Sequence, residues 1–182
     1  KGEYRIIKTI QISESGKRSS INKIIVRNPD LKSALTIQLK KNGLKYEYYT
    51  GIFKQVQDLE LSKPAAAGIF EDKISVEKWK TKLKRYIGLK FNGYIFIPET
   101  GNYTFSTLSD DGSKLFIDDE LIVDNDGIHW ANEAYGAVKL EKGFHKINIS
   151  YFDLTGGTIL NCFIQKEGKK KEEITASQLF YE

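Results

Sequence analysis

The chain has 182 residues, enough for one well-packed domain and part of another, and 40% of them are hydrophobic. Its net charge of +4 is spread among interleaved acids without a nucleic-acid-binding motif, so we expect a solvated surface and no nucleic-acid partner. A single cysteine excludes an intrachain disulfide, two histidines exclude a histidine-rich metal centre, and no apolar run is long enough to span a membrane.

The first 41 residues are predicted to form short strands. Two apolar runs, 4–12 and 20–26, flank a polar turn over 13–18, and this arrangement predicts a β-hairpin. After a break at Asn28-Pro29-Asp30, residues 34–39 are predicted to form a strand that leads into a second unit. The chain contains no Met, which favours a piece cut from a longer protein. We therefore predict two units, a partial β-structure over 1–41 and a domain over 42–182.

The second unit is a series of short runs separated by Gly, Asn or Asp, a spacing typical of an all-β antiparallel sandwich or barrel. A two-residue turn is predicted at Asp119-Glu120, between strands over 114–118 and 121–124. In the segment 75–86, apolar residues recur at helix-like spacing, and a strand over 82–91 is the alternative.

Alternation with a period of two predicts which strand residues face the core. The predicted inward-facing residues are Tyr103, Phe105, Thr107, Leu115, Ile117, His145, Ile147, Ile149, Tyr151, Leu160, Cys162 and Ile164. In this interpretation Cys162 acts as a small core hydrophobe, and His145 is a half-buried histidine whose hydrogen bonds are satisfied.

Two adjacent carboxylates, Asp110 and Asp111, lie with Gly112 between two predicted strands. Asp and Gly are common turn formers, so a plain turn is one explanation. Two like charges side by side nevertheless require a cation or several hydrogen-bond donors, because their repulsion otherwise disfavours ionisation. The pair is therefore also a candidate site for a cation or a sugar.

This acidic turn is one of several motifs that follow each other in order. They include Gly93-Tyr94-Ile95-Phe96, Gly101-Asn102-Tyr103-Thr104-Phe105, Ser109-Asp110-Asp111-Gly112-Ser113, Leu140-Glu141-Lys142-Gly143-Phe144 and Gly156-Gly157. Together they resemble the PA14 domain, named after the anthrax protective antigen, over residues 43–182. The resemblance implies an antiparallel β-sandwich that opens with a strand at 43–51 and closes with one at 174–181. The segment around Gly16-Lys17-Arg18-Ser19 is similar to the tail of the small β-sandwich that ends bacterial chitobiases and hexosaminidases.

The resemblance also implies a calcium site. In yeast flocculins and adhesins of this family, the adjacent aspartates are joined by a cis peptide and bind calcium, which in turn holds sugar hydroxyls. Asp110 and Asp111 match that motif, and Asp153, in the loop 153–157, is the candidate for a further ligand. Calcium prefers six to eight oxygen ligands, so carboxylates suit it. The alternative is that the acidic pair only braces neighbouring loops.

Aromatic residues near the acidic turn could stack on a sugar. Trp130 and Tyr135, with the loop at Gly156 and Gly157, are the candidates, since aromatic faces suit the apolar faces of pyranose rings. The alternative is that Trp130 packs in the core.

The segment Asp124-Asn125-Asp126-Gly127 resembles a calcium loop only superficially, because its twelfth position is Tyr135 rather than Glu. We expect a turn whose carboxylates cap backbone groups near His129 and Trp130. His129 is expected to pack or form hydrogen bonds in a structural role.

The function that these resemblances imply is a non-catalytic carbohydrate-binding module. The longer protein that contains the module would be a secreted bacterial glycoside hydrolase of the β-N-acetylhexosaminidase type. The expected partners of the module are a glycan and the catalytic domain of the same chain. The expected location is secreted, periplasmic or at the cell surface. The alternative is a structural domain that orients or shields a catalytic domain without binding sugar. No nucleophile elbow, triad order or metal motif supports an enzyme, so we expect no catalytic residues in this chain.

Overall fold

Two β-sheets packed face to face make up the protein in the computed structural model, which describes residues 4–9, 22–27, 30–76, 86–154 and 156–182. The predicted all-β sandwich is thereby confirmed. The predicted turn over 13–18 lies outside the described residues. So does most of the segment 75–86, for which a helix was predicted with a strand over 82–91 as the alternative. No helix within the described ranges is long and apolar enough to cross a membrane.

The strands of the described residues are numbered in chain order. They are β1 Tyr4–Thr9, β2 Asn22–Arg27, β3 Leu31–Lys32, β4 Lys41–Asn42, β5 Leu44–Thr50, β6 Ala66–Phe70, β7 Ile87–Ile97, β8 Gly101–Asp110, β9 Ser113–Ile117, β10 Glu120–Asn125, β11 Asn132–Leu140, β12 Gly143–Asp153, β13 Ile159–Lys166, β14 Glu172–Glu173 and β15 Leu179–Tyr181. Short 3₁₀ helices cover Val56–Leu61 and Ala176–Gln178.

Among the described residues, one sheet has seven strands in the order β1-β2-β11-β8-β13-β14, with β3 also beside β11. The other has eight, in the order β10-β9-β12-β7-β15-β4, with β5 beside β7 and β6 beside β5. Neighbouring strands are antiparallel, except that β2 and β3 each run parallel to β11. The antiparallel pairing of β1 and β2 that a hairpin requires is confirmed, and β2 joins this pair to the sheet of the second unit through β11.

The core lies between the sheets and contains the residues that alternation predicted. Phe105, Leu115 and Ile147 are fully buried, and Cys162 lies among them as the small hydrophobe that was expected. Truncating a large buried side chain such as Phe105 to Ala costs about 3–5 kcal/mol. His145 is fully buried rather than half-buried, and both of its ring nitrogens are hydrogen-bonded.

The turn predicted at Asp119-Glu120 is wrong by one residue. Asp118 and Asp119 have φ values of 49° and 61°, the left-handed pair that a two-residue hairpin turn needs, and β10 already begins at Glu120. The Asp118 carboxylate accepts the backbone N–H of Lys146 at 2.9 Å and lies 2.8 Å from Nδ1 of His145. These partners come from a distant part of the chain, so the local sequence did not reveal the register.

Two other predicted strands are only partly present. Between β3 and β4, the predicted strand at 34–39 is reduced to one bridge, in which Leu35 N–H donates to the Phe144 carbonyl at 2.9 Å. At the chain's end, a 3₁₀ turn interrupts the predicted closing strand, and β15 follows it. The opening strand is confirmed as β5.

Candidate functional site

Three connections between the two sheets meet at one end of the sandwich. The β8–β9 connection contains Asp111 and Gly112, and the β10–β11 connection runs over 126–131. The β12–β13 connection runs from Leu154 to Thr158, with residue 155 outside the description. Each joins the eight-stranded and seven-stranded sheets, and cross-strand pairs such as Asp110 with Ile159 hold their ends together. The site residues predicted from the sequence lie in or beside these connections, except Tyr135, which lies within β11.

The Asp110–Asp111 peptide bond is cis, as the resemblance implies. Both side chains are buried, and the Tyr151 hydroxyl donates to the Asp110 carbonyl at 2.7 Å. Gly112 follows where no side chain fits, since a Cβ there would lie 2.4 Å from the Phe152 ring and 2.8 Å from Gly127 N. The connection is therefore closely packed on the end of the core.

Asp111 joins the two neighbouring connections. Its Oδ1 accepts the His129 N–H at 3.1 Å, and its Oδ2 accepts the Leu154 N–H at 2.7 Å. Hydrogen bonds to an ionised carboxylate are stronger than neutral ones, and the side chain has no exposed surface. Asp111 therefore braces both loops, which is one of the two roles considered for the acidic pair.

Asp110 differs from Asp111 in how its carboxylate oxygens are hydrogen-bonded. Within the described part of the chain, its Oδ1 is buried and has no hydrogen-bond partner, an arrangement that is costly for a carboxylate oxygen. Burial raises the pKa of Asp110, and the adjacent Asp111 charge adds to the rise, while hydrogen bonds from the backbone of Gly157 and Ala131 oppose it. The loops thus supply hydrogen bonds to this carboxylate, but its Oδ1 has no partner among the described residues.

Trp130 and the glycine loop lie next to the free oxygen of Asp110. Trp130 is 78% exposed, so the alternative that places it in the core is wrong. A Cβ at Gly156 would lie 3.1 Å from Asp110 Oδ1 and 3.2 Å from Cζ3 of Trp130, and Gly156 has a φ of 87° that favours glycine. A Cβ at Gly157 would lie 3.5 Å from Asp110 Oδ2. The structure therefore brings Asp110, Trp130, Gly156 and Gly157 together.

Asp153 and Tyr135 have other partners. Asp153 is buried, and its Oδ2 accepts the Thr158 hydroxyl at 2.7 Å. Within the described ranges, no three or more His, Cys, Asp or Glu side chains are grouped so that they could hold a metal ion. Tyr135 lies along β11, and its hydroxyl donates to Glu133 at 2.6 Å. Any metal bound at Asp110 would therefore need oxygen ligands other than a third carboxylate.

His129 has the structural role that was expected. Its Nδ1 lies 2.8 Å from the Trp130 carbonyl, and its Nε2 lies 2.8 Å from the Asn125 carbonyl. The capping predicted for 124–127 is only partly correct, because Asp126 Oδ1 accepts N–H groups from Val56 and Gly127. The carboxylate that caps His129 is that of Asp111, which comes from another connection and could not be found by local spacing.

Sequence reasoning missed a buried polar network below the site. Asn125 Nδ2 donates to Ser109 Oγ at 3.0 Å and to the Asn132 carbonyl at 2.9 Å. Asn132 Nδ2 in turn donates to Asn125 Oδ1 at 2.9 Å. Ser113 connects to Thr107 and Ser109 at 2.9 and 2.8 Å. The available signal was the run of small hydroxyl residues at inward positions of β8 and β9. This network fixes the strand ends from which the three connections leave.

The profile of the PA14 domain family matches residues 40–177 of the chain, three quarters of its length. The chain belongs to the PA14 domain family. Over 190 aligned residues it is 24% identical to a β-hexosaminidase of Porphyromonas gingivalis, an alignment that covers 97% of this chain and 24% of that relative. This PA14 chain thus spans about a quarter of the length of the curated relative it matches.

Solved structures share the fold of this PA14 chain. A PA14 sugar-binding domain from an RTX adhesin has a TM-score of 0.64 and 19% identity, covering 79% of this chain and all of that domain. The A domain of epithelial adhesin 6 from Candida glabrata, solved in complex with Galb1-3GlcNAc, has a TM-score of 0.60 and 11% identity, covering 81% and 90% of the two chains. At these identities the likeness establishes the fold alone.

Proposed function

We propose that this PA14 domain is a non-catalytic module that binds a glycan at the end of the sandwich where the three connections meet. The observation that carries the proposal is the buried Asp110 Oδ1, which has no partner in the described structure and lies beside the exposed Trp130. A carboxylate oxygen accepts sugar hydroxyls and an indole face stacks on a pyranose ring, so the two groups suit a saccharide together. Gly156 lies against both groups, since a Cβ there would be 3.1 Å from Asp110 Oδ1 and 3.2 Å from Cζ3 of Trp130.

Calcium is the cofactor that this site would fit. The free Asp110 oxygen and the adjacent Asp111 carboxylate supply hard oxygen donors, and a cation there would offset both the unpartnered oxygen and the raised pKa of Asp110. When bound, calcium would supply coordination positions for sugar hydroxyls. Asp110 and Asp111 would hold it, completed by backbone carbonyls or water. Asp153 is the less favoured ligand, since no three acidic side chains of the described residues are grouped closely enough to hold a metal ion.

A catalytic role for the acidic pair is disfavoured by Asp111. Its side chain has no exposed surface, and both oxygens accept backbone N–H groups. A general acid or base must reach the reacting atoms of its substrate, and this carboxylate is turned towards the loops. The pair therefore suits binding better than hydrolysis.

The proposed parent protein is a secreted bacterial glycoside hydrolase of the β-N-acetylhexosaminidase type. The β-hexosaminidase relative, of which this chain matches about a quarter, supports that context. A binding module beside a catalytic domain raises the enzyme's effective concentration on a glycan. The catalytic domain of the same chain is the proposed partner, and the proposed location is secreted, periplasmic or at the cell surface. The first 41 residues are proposed to be the end of a preceding β-sandwich whose last strands join the seven-stranded sheet of this domain.

The alternative function, a structural domain that orients or shields its neighbour, is favoured by one observation. Asp111 joins two loops with complete burial, which is what a purely bracing acidic pair would do. The two functions differ in Asp110, whose free oxygen a bracing role does not explain.

A glycan array of the 182-residue chain in calcium, repeated in chelator, tests the proposal. We expect binding in calcium that is lost in chelator, and lost in Asp110→Asn without a change in the urea midpoint of unfolding measured in chelator. Asp30→Asn, an exposed aspartate outside the site, is the matched control and should bind as wild type. Absence of binding in both conditions would instead favour the structural domain.

A further inference from the structure

Trp130 is the most exposed group of the proposed glycan site, with 78% of its surface open. Its indole lies against Gly156, where a Cβ would be 3.2 Å from Cζ3 and 3.3 Å from Cε3. A side chain that rotates freely must be ordered when a ligand binds, and this ordering weakens the affinity. Because packing covers so little of the ring, its position depends on the backbone that carries it.

The residues on either side of Trp130 are attached to the acidic pair. The His129 N–H donates to Asp111 Oδ1 at 3.1 Å, and the backbone of Ala131 forms a hydrogen bond to the Asp110 carboxylate. Neither bond involves Trp130 itself. A third contact is therefore needed to fix the peptide group between them.

The ring of His129 makes that contact. Its Nδ1 lies 2.8 Å from the Trp130 carbonyl oxygen, and its Nε2 lies 2.8 Å from the Asn125 carbonyl oxygen. Carbonyl oxygens only accept, so a ring nitrogen that carries a proton donates to the oxygen that it faces. The ring thus spans the β10–β11 connection, from Asn125 at the end of β10 to Trp130.

Asn125 is a well-ordered anchor for this ring. Its side chain is 1% exposed, and its Nδ2 donates to Ser109 Oγ at 3.0 Å and to the Asn132 carbonyl at 2.9 Å. Its Oδ1 accepts from Asn132 Nδ2 at 2.9 Å. Buried polar networks of this kind are rigid. His129 therefore connects a rigid network below the site to the exposed indole above it.

We propose that His129 is a positioning residue of the glycan site. Its Nδ1–H donates to the Trp130 carbonyl and thereby keeps the indole against Gly156, beside Asp110, before a ligand binds. This inference rests on the proposed function, because it assigns His129 a part in the binding that Trp130 performs. A purely structural histidine would affect the stability of the chain, whereas a positioning residue also sets the order of the Trp130 ring.

The test separates the two ring nitrogens of His129. In His129→Asn the amide nitrogen is attached to Cγ, as Nδ1 is, so this variant keeps a donor for the Trp130 carbonyl. In His129→Gln the amide nitrogen is one atom farther out, near the position of Nε2, so this variant keeps a donor only for the Asn125 carbonyl. The two variants lose one ring contact each and are therefore matched.

The first measurement is the heteronuclear NOE of the Trp130 indole N–H in the ¹⁵N-labelled 182-residue chain, in EDTA and without glycan. The chain has two tryptophans, so Trp130→Phe assigns the signal. This NOE reports motion on the picosecond to nanosecond timescale. We expect values close to those of the β8 backbone in the wild type and in His129→Asn, and clearly lower values in His129→Gln.

The second measurement is titration, in calcium, with a glycan selected by the array. We expect His129→Gln to bind about two- to tenfold more weakly than wild type, because the ligand must then order one side chain. His129→Asn should bind as wild type. Thr100→Ala removes the acceptor of the Lys142 N–H at the opposite end of the sandwich, and this control should match wild type in both measurements.

Equal NOE values in His129→Asn and His129→Gln would overturn the positioning role, and so would a lower value in His129→Asn. Where a variant is poorly folded, the wild type decides by itself, since a Trp130 indole as mobile as the chain terminus would also overturn it. Absence of glycan binding by the wild type would overturn the proposed function. The NOE values, which are measured without glycan, would still show whether His129 orders Trp130.

Discussion

Replacing Asp111 with Ala should loosen the end of the sandwich, because one side chain holds two connections together. The substitution removes hydrogen bonds of 3.1 and 2.7 Å to the N–H groups of His129 and Leu154. Each bond to a charged acceptor contributes about 1.5–3 kcal/mol, so we expect the free energy of unfolding to fall by at least about 3 kcal/mol. The two N–H groups left unpaired in a buried site are the physical reason for a loss of this size.

The assay for Asp111→Ala is urea denaturation followed by circular dichroism in EDTA, so that no bound cation contributes to stability. Asp110→Asn is the internal comparison, since its Oδ1 makes no hydrogen bond among the described residues and the amide oxygen can still accept from the loop. We expect this variant to stay within about 1 kcal/mol of wild type. A loss of less than 1 kcal/mol for Asp111→Ala would refute the reasoning, as would an equal loss for both variants.

Three further predictions concern residues around the sandwich. Burial lowers the pKa of His145, but its hydrogen bonds to Asp118 and to the backbone outweigh this and hold the pKa above its ordinary value. The contribution of His145 to the free energy of unfolding should therefore be complete below a pH of about 6.5 and decline as the pH rises through the folded-state pKa. Denaturation of His145→Gln across this pH range should not show that decline. Gly112→Ala should cost about 2 kcal/mol in denaturation experiments, because its methyl group would meet Phe152 and backbone; wild-type stability would contradict this. Trp130→Ala should leave stability within about 0.5 kcal/mol of wild type and weaken calcium-dependent glycan binding about tenfold in titrations, and unchanged binding would exclude the indole from the site.

Much of the fold could be predicted because strand alternation is a local property. Phe105, Leu115 and Ile147 were predicted to face inward from their spacing, and each is fully buried. Turn register was harder to predict. The β9–β10 turn lies at Asp118 and Asp119, where contacts with Lys146 and His145, nearly thirty residues away, stabilise Asp118 in a left-handed conformation.

The candidate site shows the same division. The adjacent aspartates, Trp130 and the glycine pair could be selected from the sequence because two like charges stand out at a turn and the order of the motifs resembles the PA14 domain. Their different roles could not be predicted, because the hydrogen bonds of both aspartates are set only when the three connections meet. There Asp111 accepts two N–H groups, whereas Asp110 Oδ1 has no partner among the described residues. The anchoring of Asn125 by Ser109 likewise requires strands of different sheets to meet.

The sequence by itself determined the all-β sandwich, the core-facing residues of its long strands and the acidic turn, because these follow from alternation and from residue types within a few positions. The tertiary structure alone decided which carboxylate braces the loops and which oxygen stays free. It also decided that Trp130 is exposed and that His129 connects it to the buried network. The physical reason is that hydrogen-bond satisfaction and burial depend on atoms from distant segments, which only folding brings within contact.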